Sequence, residues 1–287
     1  MYTENDSKKL LIGSPILQKP PILRAFLESL EKLDTAGLDC SYFFVDDNTD
    51  PDACALLQAF QGRHPAVILL KGQNTGGYHC DETTHYWNNN LMDRVGQYKD
   101  QIIRYALSQA FDYLFFVDSD LILDPKLIRH LISCEKEIIS EIFWTKWTPD
   151  SIPLPNVWLF DQYNLSPQDA DERLDAAASL ARRQEFLHML KAPGQYPVGG
   201  LGACTMISKT ALEKGVNFSR IPNLLSLWGE DRFFCVRAAA LGIPLFVDTH
   251  YPALHLYREA DLEAFTAKEC GIPGSATAGE TSCTSPS

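Results

Sequence analysis

The first 130 residues alternate short apolar runs with amphipathic ones, and this alternation restricts the fold more than any other feature of the chain. "KLLIGSPI", "CSYFFVDDNTD", "AVILLKG" and "DYLFFVDSD" read as strands. Between them, "PPILRAFLESLEKLDTAG", "DPDACALLQAFQGR" and "MDRVGQYKDQIIRYALSQAF" read as helices, the first with prolines at its start and Gly37 after its end. Short apolar strands separated by helices imply a parallel sheet covered on both faces. The expected class is therefore α/β, with three α/β/α layers around a central, mostly parallel sheet.

After "DPKLIRHLISC" the rhythm changes. "KEIISEIFW" and "NVWLFDQY" read as strands, a polar, alanine-rich helix is expected at about 167–191, and "YPVGGLGACTMISKTALEKG" follows. The segment "LWGEDRFFCVRAAALGIPLFVDTHYPALHLYREA" holds a helix from about Asp231 to Leu241, stopped by Gly242 and Pro244. No linker separates the two halves (about 9–130 and 131–260), so residues 1–270 read as a single domain. Small polar residues fill 271–287, which read as a disordered tail.

Charge narrows the partners. The balance of 25 basic and 37 acidic residues, −12, comes with no basic run, which argues against nucleic acid or an anionic membrane. A phosphorylated ligand remains compatible if a metal ion screens the charge. No segment approaches the roughly 20 apolar residues of a membrane span, and "MYTENDSKKLLIGSPIL" does not read as a signal peptide. The eight cysteines form no C-x-x-C pair, so reduced thiols in a cytoplasmic protein are expected.

In open parallel sheets ligands bind beyond the carboxyl ends of the strands. Asp46 and Asp47 end the second strand; Asp118 and Asp120 end the fourth. "VDDNTD" also suits a simple turn, since Asp and Asn bond their own backbone. Strand geometry puts Asp118 and Asp120 on one face, where both reach one hard cation such as Mg2+ or Mn2+ held together with phosphates. Glu230 and Asp231 open a helix after Gly229. They serve there either as caps or as an ionised carboxylate that accepts a proton from a hydroxyl.

Taken in order, "VDDNTD", "FFVDSDLIL", "GGLGACTMIS", "WGEDRFFCVRAAALG" and "ALHLY" resemble the A-type glycosyltransferases, in particular the large inverting family of bacterial nucleotide-sugar transferases, over about residues 9–258. The resemblance implies a Rossmann-like glycosyltransferase A-type fold and transfer of a sugar from a UDP- or GDP-sugar to a hydroxyl of a glycan, lipid-linked or small-molecule acceptor. It implies that Asp46 and Asp47 lie at the nucleotide, together with Pro15, Lys99 and Ser119. Asp118 and Asp120 would bind Mn2+ or Mg2+ on the diphosphate, with a histidine after the following strand. Asp231 would be the catalytic base, with Glu230 beside it. His255 fits the family's ending better than His250. His64, His130 and His188 read as surface or helix residues.

Residues 73–99 depart from the family's tighter pattern and read either as a donor-contacting loop or as cover for the sheet edge. In "VGGLGACTMI" the glycines allow backbone to approach an acceptor, which points to Gly200, or else form a bulged strand. Among the tryptophans, Trp228 is the expected sugar-stacking residue; Trp144, Trp147 and Trp158 suit either stacking or core. Two other classes fit part of the pattern: a nucleotidyltransferase, for which "IGSPILQKPP" has too few glycines, and a non-catalytic nucleotide-sugar-binding module, in which the base would be dispensable. Oligomeric state leaves no mark in the sequence.

Overall fold

Alternation along each strand decides which side chain enters which layer of the core. Leu10, Ile12, Tyr42, Phe44 and Phe115 pack on one face of the sheet, and Leu11, Phe43, Val45, Leu114 and Phe116 on the other, as the two-residue period of an extended chain requires. Both faces are buried, which is why these strands read as unbroken apolar runs.

The computed structural model describes residues 7–73, 79–80, 85–86, 88–160, 163–224 and 229–269. In chain order the elements are β1 (Lys8–Ile16), α1 (Pro20–Glu31), β2 (Leu38–Asp46), α2 (Pro51–Arg63), β3 (Val67–Lys71), β4 (His79–Cys80), β5 (His85–Tyr86) and α3 (Asn89–Ser108). There follow β6 (Tyr113–Phe116), β7 (Leu121–Ile122), α4 (Leu127–Ser133), β8 (Ile138–Thr145), β9 (Leu154–Pro155), β10 (Val157–Trp158) and α5 (Ala176–Met189). The remainder is β11 (Gln195–Val198), β12 (Gly200–Leu201), β13 (Thr205–Ser208), α6 (Lys209–Glu213), α7 (Glu230–Ala240), β14 (Leu245–His255) and α8 (Glu259–Glu269).

Ten strands form one sheet, ordered β11-β14-β8-β13-β6-β1-β2-β3, with β7 and β9 attached to β14 and β8. β6, β1, β2 and β3 run parallel, and β14 runs parallel to β8. β13 lies antiparallel between β6 and β8 and joins the two halves into one sheet. Helices α1, α2 and α4 cover one face through Phe26, Phe60 and Leu127, and α3, α6 and α7 the other through Ile102, Leu212 and Phe234. This is a three-layer α/β/α architecture around a mixed, mostly parallel sheet.

Several boundaries differ from the sequence expectation for local reasons. α1 ends at Glu31, and Gly37, at φ 80°, instead serves the turn into β2, where Leu38 N donates to Thr35 O at 3.0 Å. α5 begins only at Ala176, because the Asp175 side chain accepts from Ala178 N and caps it there. Among the described residues of "NVWLFDQY", Val157 and Trp158 form the named strand, against β12, and Phe160 makes an isolated bridge to Asn164. The tail at 271–287 and most of the loop within 73–99 lie outside the described residues. No described helix is long and apolar enough to cross a membrane, and the described cysteines Cys40, Cys54, Cys134, Cys204 and Cys235 are free thiols.

Candidate functional site

Because β1, β2 and β6 run parallel side by side, their carboxyl ends share one edge. Asp47 N donates to Ile16 O, and Val117 N to Gly13 O, so the acids following β2 and β6 stand beside the end of β1, where Pro15 pairs with Val45. Asp46 and Asp47 are both buried and braced from within. Asp46 accepts from Asn48 N and Nδ2 and pairs with Lys71 at 3.0 Å. Burial opposes its charge, but these bonds hold its carboxyl below the usual range. Asp47 accepts from the Tyr98 hydroxyl at 2.8 Å and pairs with Arg94 at 3.2 Å; burial outweighs both and raises its carboxyl. Asn48, Lys71, Arg94 and Tyr98 were not singled out in the sequence, since a bracing residue carries no local signature.

Asp118 and Asp120 come together by a route other than strand pleating. β6 ends at Phe116, and the two acids occupy a turn in which Leu121 N donates to Asp118 O at 3.3 Å, with Ser119 buried between them. The turn is fixed by β7, whose Leu121 pairs with His255 at the end of β14, and by Leu256 N donating to Asp120 O at 2.8 Å. His255 Nε2 consequently stands 3.4 Å from Asp120 Oδ2, while Nδ1 shares a 2.8 Å hydrogen bond with Thr145 Oγ1. His250 is engaged elsewhere, by Asp248 at 3.0 Å.

α7 brings the other acids. Gly229 at φ 144°, a conformation that side chains rarely adopt, turns the chain into the helix, so Glu230 and Asp231 lie in its first turn. From α3, the Lys99 ammonium reaches both, at 2.6 Å from Glu230 Oε1 and 2.8 Å from Asp231 Oδ1. Lys99, expected at the nucleotide, has its charge engaged by this pair. Burial works against that charge, but Asp231, Glu230 and Asp118 hold its pKa well above the usual lysine range. Burial pushes the Asp118 carboxyl up to about 7 against the pull of Lys99, with Asp120, Asp231 and Glu230 adding to the rise. Asp231 rises to about 6 through burial, which Lys99 partly offsets. The Asp231 side chain keeps 24% of its exposure, against 6% for Glu230 and 3% for Lys99, so Asp231 is the acid open to a ligand.

Carboxylate oxygens suit Mn2+ or Mg2+, and an added imidazole nitrogen favours Mn2+ of the two. The donor chemistry of Asp118, Asp120 and His255 fits such an ion, and a cation would offset the burial and the repulsion from Asp120 that together lift Asp118. The Thr145 bond to Nδ1 is the outer support that presents the other ring nitrogen.

Gly200 is buried, and the approach its missing side chain permits is to Trp158: a Cβ there would lie 1.9 Å from the indole. Trp158 is therefore core, Trp144 is half-buried in β8, and Trp147, 45% exposed, stands edge-on to Tyr257. Of the three glycines in "GGLG", Gly202 faces the candidate base: a Cβ there would sit 3.5 Å from Asp231 Oδ2. The "GGLG" signal contained it, but pattern alone could not rank the three. Trp228 lies outside the described residues.

No family model matches the chain, and no curated protein matches it in sequence. Solved structures do. A mannosyltransferase from Pyrobaculum calidifontis, in complex with GDP-Man and Mn2+, matches with TM-score 0.51 and 10% identity over 91% of this chain and 60% of that one. S. aureus TarS matches with TM-score 0.50 and 13% identity over 91% of this chain and 39% of its own. Its 1–349 segment in complex with UDP matches at 0.50 and 12% identity, over 86% and 60%. The chain thus spans between about two fifths and three fifths of these proteins. At such identities the likeness is one of fold alone: the chain shares its fold with these proteins.

Proposed function

We propose that the chain is an enzyme that moves a sugar from a UDP- or GDP-sugar to an acceptor hydroxyl, with inversion, assisted by Mn2+ or Mg2+. The observation that carries this reading is the pairing of a partly open Asp231, clamped by Lys99, with the Asp118, Asp120 and His255 donor set. The GDP-Man, Mn2+ and UDP complexes of the structural neighbours lend it support.

Asp118, Asp120 and His255 would hold the ion, whose charge neutralises the departing diphosphate. Pro15 and Ser119, at the carboxyl ends of β1 and β6, border the nucleotide, and Asp46 and Asp47 shape the same edge through their internal bonds. Lys99 occupies Asp231 Oδ1, so Oδ2, the oxygen facing Gly202, takes the acceptor proton. The acceptor oxygen then bonds to the anomeric carbon as the bond to the phosphate oxygen breaks, and the electron pair leaves with the diphosphate. Glu230, buried on Lys99, acts by positioning that lysine.

Asp231→Asn keeps the shape of the side chain while removing the base. Transfer should fall at least about a hundredfold with donor affinity retained. Wild-type turnover in that variant would reduce Asp231 to an ion-pair partner of Lys99 and defeat the mechanism.

A further inference from the structure

A second cluster of ligating side chains lies on the opposite face of the sheet from α7, where α4 packs beside β14 and β8. His130 on α4 and Cys134, the residue that caps the end of that helix, are one helical turn apart, and their ligand atoms meet the buried Asp248 of β14 within a common 4.8 Å. His130 Nε2 lies 2.9 Å from Asp248 Oδ2, and Cys134 Sγ stands 3.8 Å from each of those atoms. Tetrahedral zinc, with bonds of about 2.0–2.3 Å, separates its ligand atoms by about 3.3–3.6 Å, so small side-chain adjustments suffice.

We propose that His130, Cys134 and Asp248 form a Zn2+ site, distinct from the carboxylate site at Asp118 and Asp120. One nitrogen, one sulfur and one oxygen are a donor set for a borderline-soft cation rather than for Mg2+ or Mn2+. His250 Nδ1, 3.0 Å from Asp248 Oδ1, orients the carboxylate from outside, and Gln195 Nε2 donates to Cys134 Sγ at 3.0 Å. A second observation points the same way. Asp248 is the cross-strand partner of Glu141, and both are fully buried, yet no Lys or Arg bridges either among the described residues. Buried acids with no Lys or Arg beside them are neutralised by a proton or by a bound cation. Burial and Asp248 push the Glu141 carboxyl up to about 9, which favours the proton there, and the cation is the role open at Asp248. His130 and Cys134 keep part of their surface, so an ion has access. On binding, the Cys134 thiol proton passes to solvent as the metal–sulfur bond forms.

The test uses the full chain, stripped with chelator and titrated with Co2+ and then Zn2+. A thiolate-to-Co2+ charge-transfer band should appear and be displaced by Zn2+. The band should vanish in Cys134→Ser, and His130→Gln should weaken Zn2+ at least about tenfold. Asp120→Ala should keep the band, which separates this site from the one assigned to sugar transfer. Absence of the band in the wild-type chain, or its survival in Cys134→Ser, overturns the proposal. Should Cys134→Ser fail to fold, alkylation of Cys134 in the wild-type chain, followed on its peptide by mass spectrometry, decides the matter: Zn2+ should slow it, and an unchanged rate overturns the site.

Discussion

An ammonium buried between two carboxylates sets what each of them can do. Lys99 neutralises Glu230 and restrains the rise of Asp231, whose carboxyl sits at about 6. Since Lys99 lowers that value, Lys99→Met should raise it. The acid limb of the kcat/KM profile, governed by the fraction of Asp231 that is ionised, should then move to higher pH. An unmoved limb would detach Lys99 from the base. The same variant leaves buried acids uncompensated and should cost about 3–5 kcal/mol in denaturant unfolding. None of this was legible beforehand. Lys99 and Asp231 meet across 132 residues of chain, and a lysine in a helical pattern looks alike whether it faces solvent or an ion pair. Asp118, Asp120, Glu230 and Asp231 could be picked out because each ends or begins a recognisable element.

Elements with a strong period were readable; those made by pairing were not. β1, β2 and α3 announce themselves through apolar spacing, whereas β7 is a two-residue strand that exists only because β14 lies beside it. That pairing places His255 at Asp120, and only a family-type ending pointed to it. Gly200 of β12 shows the same limit: spacing suggested an approach of backbone to a ligand, and what stands against its Cα in the structure is the Trp158 indole, which no local pattern announces. Gly200→Ala should therefore displace the indole and overpack the core, lowering stability by about 1–3 kcal/mol. Thermal unfolding checks this, and an unchanged midpoint would mean that the ring has room to move.

The whole molecule carries a charge of −12, and a nucleoside diphosphate approaches it against that field unless a cation intervenes. Stabilisation by UDP or GDP should then require Mn2+ or Mg2+. At a hundredfold excess over Kd it should reach about 2.7 kcal/mol, and it should disappear in Asp120→Ala. Equal melting shifts with and without metal would remove the ion from the donor site.

The place of β13 has a consequence for how the molecule comes into being. Until Thr205–Ser208 emerge during synthesis, β6 presents an unpaired edge and β8 has no neighbour on that side. The nascent first half can stack its parallel strands early, but it carries a sticky border until a late segment slots in. Closure of the sheet is thus a long-range event, and folding should be slow relative to its local helices. The acids of α7, encoded later still, join the edge only after that closure, so the candidate site is among the last features to assemble.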